Sequence, residues 1–407
     1  MQILYNLGVL FLGLFMRLAS LFNPKAKQWI DGRKELSTQF IDTKGKEVIW
    51  FHCASLGEFD QGLPLLNKLK KENSNCFILV TFFSPSGMSF HHKRNHSADH
   101  VMYLPLDTPK QAKAFIGHFQ PQKVFFIKYE FWFNILQEAK KSGADIYNVS
   151  GIFREDHRFF KWYGSFFKKK LNVFNWFFVQ NEKSKELLNS IGYSNVSISG
   201  DARFDRVIEN KNQVSKNELI RTFKNGEKLF ILGSTWLEDE KLITPWIKNQ
   251  DGKVLIAPHN IDVNHIKQIQ GLLPESTLYS KGNLETISSS KVLILDTMGQ
   301  LANAYSYGDI AYVGGGFSGS LHNILEPAVF GLPVIFGPKH ERFPEAQQFI
   351  DNGFGFSVNS TSEFSKVYLE ILNNYESISA KEMSFVNENA GASDKILTFL
   401  KLLPVKN

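Results

Sequence analysis

Two carboxylates in this sequence stand where short apolar runs give way to loops. Glu58 lies in HCASLGEFDQG (52–62) and Glu130 in KYEFWFN (128–134). A carboxylate just past the carboxyl end of a parallel strand faces the crevice in which open α/β sheets bind ligands, and there it could take a proton from a hydroxyl. A plainer reading stays open for both. Each could be a first-turn helix acid whose pKa the helix dipole lowers. Arg203, in SGDARFD (199–205), reads as a loop cation near a domain junction or as a solvated surface arginine.

The third chemical stretch is YVGGGFSGSLHNILEPAVFGLPVIFGP (312–338). It reads as strand, glycine loop, short helix and strand. Gly314, Gly315, Gly316 and Gly319 would leave N–H groups bare for an anion. Asn323 would cap the helix, with Glu326 at capping-box spacing, and Gly331 would end it. Such a loop and helix start are where phosphate binds. GGGFSG matches G-x-G-x-x-G, but the next strand ends Phe336-Gly337-Pro338 with no acid, so a dinucleotide site loses ground. Glu326 is left open between capping and binding a ribose or base. GSTWLEDE (233–240) offers Ser234 and Thr235 as phosphate ligands or as an N-cap. TFFSPSG (81–87), APHN (257–260) and LDTMGQL (295–301) also follow strand-like runs. Besides the glycine loop, seven such loops converging on strand ends favour a ligand held between two domains.

Positioning these loops requires repeated strand and helix. Strands are expected at 47–53, 76–83, 101–104, 123–128, 145–149, 176–180 and 196–199, then at 229–233, 254–257, 291–295, 309–313 and 332–336. Helical stretches separate most of them, which means α/β architecture: two doubly wound parallel-sheet domains facing a cleft. The expected divisions are a membrane-anchoring helix at 1–30, a first domain at 31–208, a polar linker at 209–228, a second domain at 229–379, and a C-terminal helix at 380–407 packing back towards the first. The 407 residues suit two domains. A net charge of +6 admits nucleic acid, a membrane surface or an anionic substrate. No zinc-finger, recognition-helix or RNP pattern supports nucleic acid. Two cysteines, Cys53 and Cys76, suit a reducing compartment.

Residues 3–22 are long and apolar enough to span a bilayer, and spanning is favoured over lying in the interface. Lys25, Lys27, Arg33 and Lys34 follow and would place the rest on the cytoplasmic side. FFKWYGSFFKKK (159–170) reads as a patch meeting the membrane surface and an anionic head group. His92, His96 and His100 recur every four residues, but a solvated face is favoured over a metal site there.

The ordered blocks HCASLGE, TFFSPSG, KYEFWFN, FVQNEKS, SGDARFD, GSTWLEDE, LDTMGQL and GGGFSGSLHNILEPA resemble those of the Kdo (3-deoxy-D-manno-octulosonic acid) transferases of lipopolysaccharide assembly, over nearly the whole chain. The resemblance implies the GT-B fold and an inverting glycosyltransferase without cofactor or metal. It would move Kdo from CMP-Kdo to the lipid A precursor at the cytoplasmic face of the inner membrane. Carried over by position, Glu58 matches the family's proton acceptor, and Glu130 and Arg203 match transition-state stabilisers. Pro258-His259, Met298-Gly299-Gln300 and Asn323-Ile324-Leu325-Glu326 match the CMP-contacting segments. To these the glycine and strand-turn readings add Gly315, Gly316 and Ser234 on the donor side. Three positions depart from the pattern: His259 stands where Arg is usual, Gln300 where Glu is common and Arg203 where Lys is usual. The alternatives are a sugar-nucleotide epimerase of the same build and a non-catalytic, membrane-tethered nucleotide binder.

Overall fold

The computed structural model describes residues 1–402 and resolves into two compact units, 1–206 with the chain from 390 onward, and 207–389. The first holds seven parallel strands: β1 (Val48–Cys53), β2 (Phe77–Phe82), β3 (His100–Tyr103), β4 (Lys123–Ile127), β5 (Asp145–Gly151), β6 (Trp176–Val179) and β7 (Val196–Ile198). Their order is β3-β2-β1-β4-β5-β6-β7. Alternate residues feed two cores. Val48, Trp50, Val124 and Phe126 enter one, and Ile49, Phe51, Phe125 and Ile127 the other. Burial on both faces is why these strands read as unbroken apolar runs.

The second unit repeats the plan with β8 (Leu229–Thr235), β9 (Lys253–Pro258), β10 (Thr277–Leu278), β11 (Val292–Ile294), β12 (Ile310–Val313), β13 (Val334–Phe336) and β14 (Gly355–Ser357), ordered β10-β11-β9-β8-β12-β13-β14. Both units are therefore Rossmann-like parallel sheets of the GT-B class. In each the strand order reverses beside the first strand, between β1 and β4 and between β8 and β12. That reversal opens a crevice at the carboxyl ends. Every strand read from the sequence is present, with ends shifted by a residue or two. The edge strands β10 and β14 are additional, and at two and three residues they are too short to show a period.

Two divisions differ from expectation. Residues 209–228 are not a linker. Helix Ala202–Asn212 runs into the segment, and helix Glu218–Lys224 follows, with Ile220 and Phe223 fully buried against Leu229 and Ile231. Ile220, Phe223 and half-buried Leu219 anchor that helix among polar neighbours, so the segment looked polar throughout. Nor does a new helix begin at 380. Helix Thr361–Asn389 runs through that point, and helix Ala392–Leu402 follows. Residues 403–407 of the expected C-terminal helix lie outside the described residues. Asp205 caps the later helix, accepting N–H bonds from Gly391 (2.6 Å), Ala392 (3.2 Å) and Ser393 (2.7 Å). Ile396 and Leu397 of that helix join the core of Phe59 and Leu63.

Helix Gln2–Ala19 is long and apolar enough to cross a membrane. Its short polar stripe faces the first unit. Gln2 Nε2 donates to Asn134 Oδ1 (2.9 Å), Asn134 Nδ2 donates to Asn6 Oδ1 (3.0 Å), and Tyr5 donates to buried Asp107. Leu4, Leu7, Phe11, Phe15 and Leu18 are exposed on the remaining surface.

Candidate active site

Glu58 sits in the first turn of helix Leu56–Glu72, directly after β1. Its Oε2 accepts the N–H of Ser55 (3.0 Å). The plainer reading expects a lowered pKa, and the structure gives the opposite direction. Burial pushes Glu58 up, against the opposing pull of Lys128 and of backbone N–H bonds from Ala54 and Ser55. Glu130 follows β4, the neighbour of β1. Trp132 Nε1 donates to its Oε1 (3.0 Å). Burial and then the charge of Glu58 raise the Glu130 pKa to about 7, with the Trp132 bond and Arg33 pulling downward. Two carboxylates at one switch point are thus both raised, Glu58 against the pull of Lys128 and Glu130 with the added push of Glu58, and such paired environments are where acid and base roles are found.

Sequence reasoning missed the groups around this pair. Lys128 adopts φ +62°, rare for a side-chain-bearing residue, between β4 and Glu130. Its N–H donates to Val149 O (2.8 Å), and its carbonyl accepts from Asn148. Lys128 and Trp132 stand inside the quoted KYEFWFN block, which was the available signal. Arg33 was counted among the basic residues flanking the N-terminal helix. In the structure its guanidinium donates to Leu104 O (2.9 Å), Phe83 O (2.8 Å) and Trp29 O (3.2 Å), and burial lowers its pKa to about 9. Arg203 is not on a loop. It lies in the first turn of helix Ala202–Asn212, and its Nε donates to Asp201 Oδ2 (2.8 Å). His92, His96 and His100 share no helix, since the helical turn ends at Lys93 and His100 begins β3.

In the second unit the loops after β8, β9 and β12 meet around Asp239. Its carboxylate accepts from Tyr312 OH (2.6 Å), Trp236 N (2.9 Å) and Gly315 N (3.2 Å). This corrects the expectation of bare glycine amides. The Gly315 N–H goes to Asp239, the Gly314 N–H goes to Gly233 O (2.9 Å), and the Gly316 carbonyl accepts from Lys339 N (2.7 Å). Gly315 is required by its φ of +91°, and a Cβ on Gly316 would lie 2.5 Å from Gly337 N. Ser234 takes φ +54°, and Thr235 donates to buried Glu240 (2.8 Å), so neither hydroxyl residue is the N-cap; Trp236 is.

Pro258 ends β9 beside Thr235, and His259 follows. The His259 ring lies between Trp236 (4.4 Å, 27°) and His322 (4.5 Å, 30°). Burial lowers His259, and burial with His259 beside it lowers His322 to about 4. Both rings are neutral at pH 7, so His259 brings none of the charge that an arginine would. Nothing in the sequence pattern singled out Asp239, Trp236 or His322 as partners.

The helix expected from Asn323 is a single turn, Leu325–Ala328, and its N-cap is Ile324. The capping box does not form. Asn323 Oδ1 accepts from Leu325 N (3.2 Å), and Glu326 Oε1 takes the Asn323 side-chain amide (3.3 Å). Ile324 and Leu325 are fully buried, which leaves only their backbone for a ligand. After β11, Met298 is exposed, Gly299 takes φ +84°, and Gln300 Oε1 accepts from Asn217 Nδ2 (3.2 Å).

Residues 30–206, which include Glu58, Glu130 and Arg203, match the family model described as 3-deoxy-D-manno-octulosonic-acid transferase (kdotransferase). This stretch belongs to the Kdo transferase family. Similarity to curated relatives extends well beyond it. The chain is 28% identical to a bifunctional glycosyltransferase/methyltransferase of Fusobacterium nucleatum subsp. nucleatum over 90% of its own length, and spans 58% of that protein. It is 27% identical to a 3-deoxy-D-manno-octulosonic acid transferase of Chlamydia trachomatis serovar A, covering 89% of this chain and 87% of that one. In fold it resembles the UDP-GlcNAc 2-epimerase of Neisseria meningitidis, with a TM-score of 0.63 at 15% identity over 88% of this chain and 99% of that one. The Kdo transferase stretch thus supplies the carboxylate pair, and the Asp239 cluster lies beyond its end.

Proposed function

We propose that this chain transfers Kdo from CMP-Kdo to a primary hydroxyl of the lipid A precursor, with inversion and release of CMP. The observation that carries this reading is the pair Glu58 and Glu130 on adjacent strand ends, both pushed up by burial, Glu130 to about 7. Glu58 takes the hydroxyl proton while the oxygen attacks the anomeric carbon. The new C–O bond forms as the bond to the CMP phosphate breaks, and that electron pair leaves with CMP. Glu130, in its neutral form, donates a hydrogen bond to the transition state. The second unit holds the donor, with Glu326 at the ribose or base and the 314–319 turn near the phosphate. A one-turn helix adds little dipole, and Gly314 and Gly315 spend their N–H groups on Gly233 and Asp239, so stabilisation of the leaving group falls to Arg203 and the later N–H groups of the turn. No step is routed through a metal.

The same reading places the protein on the inner membrane, on its cytoplasmic side, consistent with two free, buried cysteines. Gln2, Tyr5 and Asn6 hydrogen-bond the first turns of helix Gln2–Ala19 to the first unit. Crossing the bilayer would drag Asn134 and Asp107 into hydrocarbon, so the helix lies in the interface with its apolar face down. Trp162, 95% exposed, and Lys168 and Lys169 suit the same interface.

The test is incubation of the protein with CMP-Kdo and the lipid A precursor. CMP release should depend on acceptor, and product mass should rise by Kdo. Glu58→Gln should abolish transfer and leave CMP-Kdo binding close to that of the parent. Transfer by that variant near the parent rate would sink the base assignment, and CMP release without acceptor would favour the epimerase.

A further inference from the structure

A cavity of about 730 Å³ opens in the first unit between helix Gln2–Ala19, helix Pro24–Asp31, the loop after β3 and helix Pro109–Phe119. That volume lies within the range of ligand sites, about 300–1,000 Å³. Trp29, Phe40 and Leu106 give it an apolar wall, and Arg17, Arg33 and Lys34 stand on it as cations beside Glu35, with Lys34 also paired to Asp31 (2.7 Å). Trp29 is 3% exposed, and its Nε1 is buried without a hydrogen-bond partner among the described residues. A buried orphan donor in an apolar wall is unusual in a filled core. Gly13 and Arg17 contribute to the cavity from one face of the N-terminal helix, while Leu10, Leu14 and Leu18 of the same helix are exposed beside them. An apolar chain can therefore pass from the helix's exposed face into the cavity along continuous apolar surface.

We propose that this cavity binds one acyl chain of an anionic lipid, with the chain against Trp29, Phe40 and Leu106 and the anionic group at Arg17 and Lys34. The proposal rests on the reading that the N-terminal helix meets a lipid surface. A chain with an anionic group fits better than a wholly polar ligand because Trp29, Ile30, Leu36, Phe40, Pro105 and Leu106 line the cavity together with the cations. Arg33 closes the inner end. Its guanidinium lies 3.9 Å over Trp29, and its charge is felt by Glu130. A chain seated here would hold its lipid beside the carboxylate pair. The chain could belong to the acceptor or to a bilayer phospholipid, since both present an acyl chain with an anionic group.

The experiment uses the full-length protein and lysophosphatidic acid carrying a brominated chain, added below its micellar concentration, with tryptophan fluorescence as the readout. Bromine quenches only rings it approaches closely, so Trp29→Phe should remove much of the quenching while exposed Trp162 remains. Ala114→Phe, at an exposed position on the cavity wall, should raise the half-saturating concentration about tenfold by filling space. Arg17→Gln with Lys34→Gln should weaken lysophosphatidic acid and leave a brominated monoacylglycerol unaffected. Equal quenching in Trp29→Phe and parent, together with unchanged binding in Ala114→Phe, would overturn the proposal. Transfer assays with acylated and deacylated acceptor then separate the sources. A loss in Ala114→Phe confined to acylated acceptor assigns the chain to the acceptor, and no loss assigns it to the bilayer. The quenching needs neither donor nor transfer, so it stands if the transferase reading fails.

Discussion

Glu130 is costly to the fold in its ionised form, and that cost has a sign that can be measured. Its pKa rises from an ordinary 4.5 to about 7 on folding. Between those values the native state holds a proton that the unfolded chain has released, so stability falls as pH rises through this window and the loss is complete above about 7. Glu130→Gln, which is neutral throughout, should raise the melting temperature at pH 8 and leave it nearly unchanged at pH 4. An equal shift at both values would mean that Glu130 is not held in the environment described. Nearby, Trp132 stacks on Phe83 at 4.7 Å while its N–H holds Glu130, so the ring fixes where that carboxyl points. The types and loop positions of these residues were legible in the sequence. Their pKa directions were not, because burial depends on neighbours that come from β1, β4 and residue 33.

At the scale of elements, one carboxylate ties the end of the chain back to the first unit. Asp205 satisfies three N–H groups at the start of helix Ala392–Leu402, the position where helices leave donors unpaired. Asp205→Ala should cost about 1–2 kcal/mol. Hydrogen exchange should show protection lost first across 392–402, with β8 to β14 unaffected. Uniform loss of protection in both units would contradict a local cap. The SGDARFD block marked this neighbourhood from sequence, yet the cap joins residues 186 apart and has no sequence signal. The same limit hid helix Glu218–Lys224, whose burial rests on a sheet formed later in the chain.

For the whole molecule, the exposed apolar face of helix Gln2–Ala19 is what tests the proposed membrane association. A helix lying in the interface, helped by a net charge of +6, should be released by alkaline carbonate and weakened by high salt. Sedimentation of washed membranes checks this, and a protein retained until detergent is added would restore the spanning helix. Composition alone favoured spanning. Gln2 and Asn6, one helical turn apart with Tyr5 beside Asn6, find their partners Asn134 and Asp107 only in the folded unit.

The sequence by itself determined the parallel sheets, the switch-point loops and the place of both carboxylates, because strands buried on both faces must be apolar runs and their ends must carry the polar chemistry. Tertiary structure alone decided which glycine amides Gly233 and Asp239 consume, that His259 is neutral between Trp236 and His322, and that the N-terminal helix lies against the first unit. These outcomes depend on groups distant in the chain competing for the same donors, the same space and the same shelter from water.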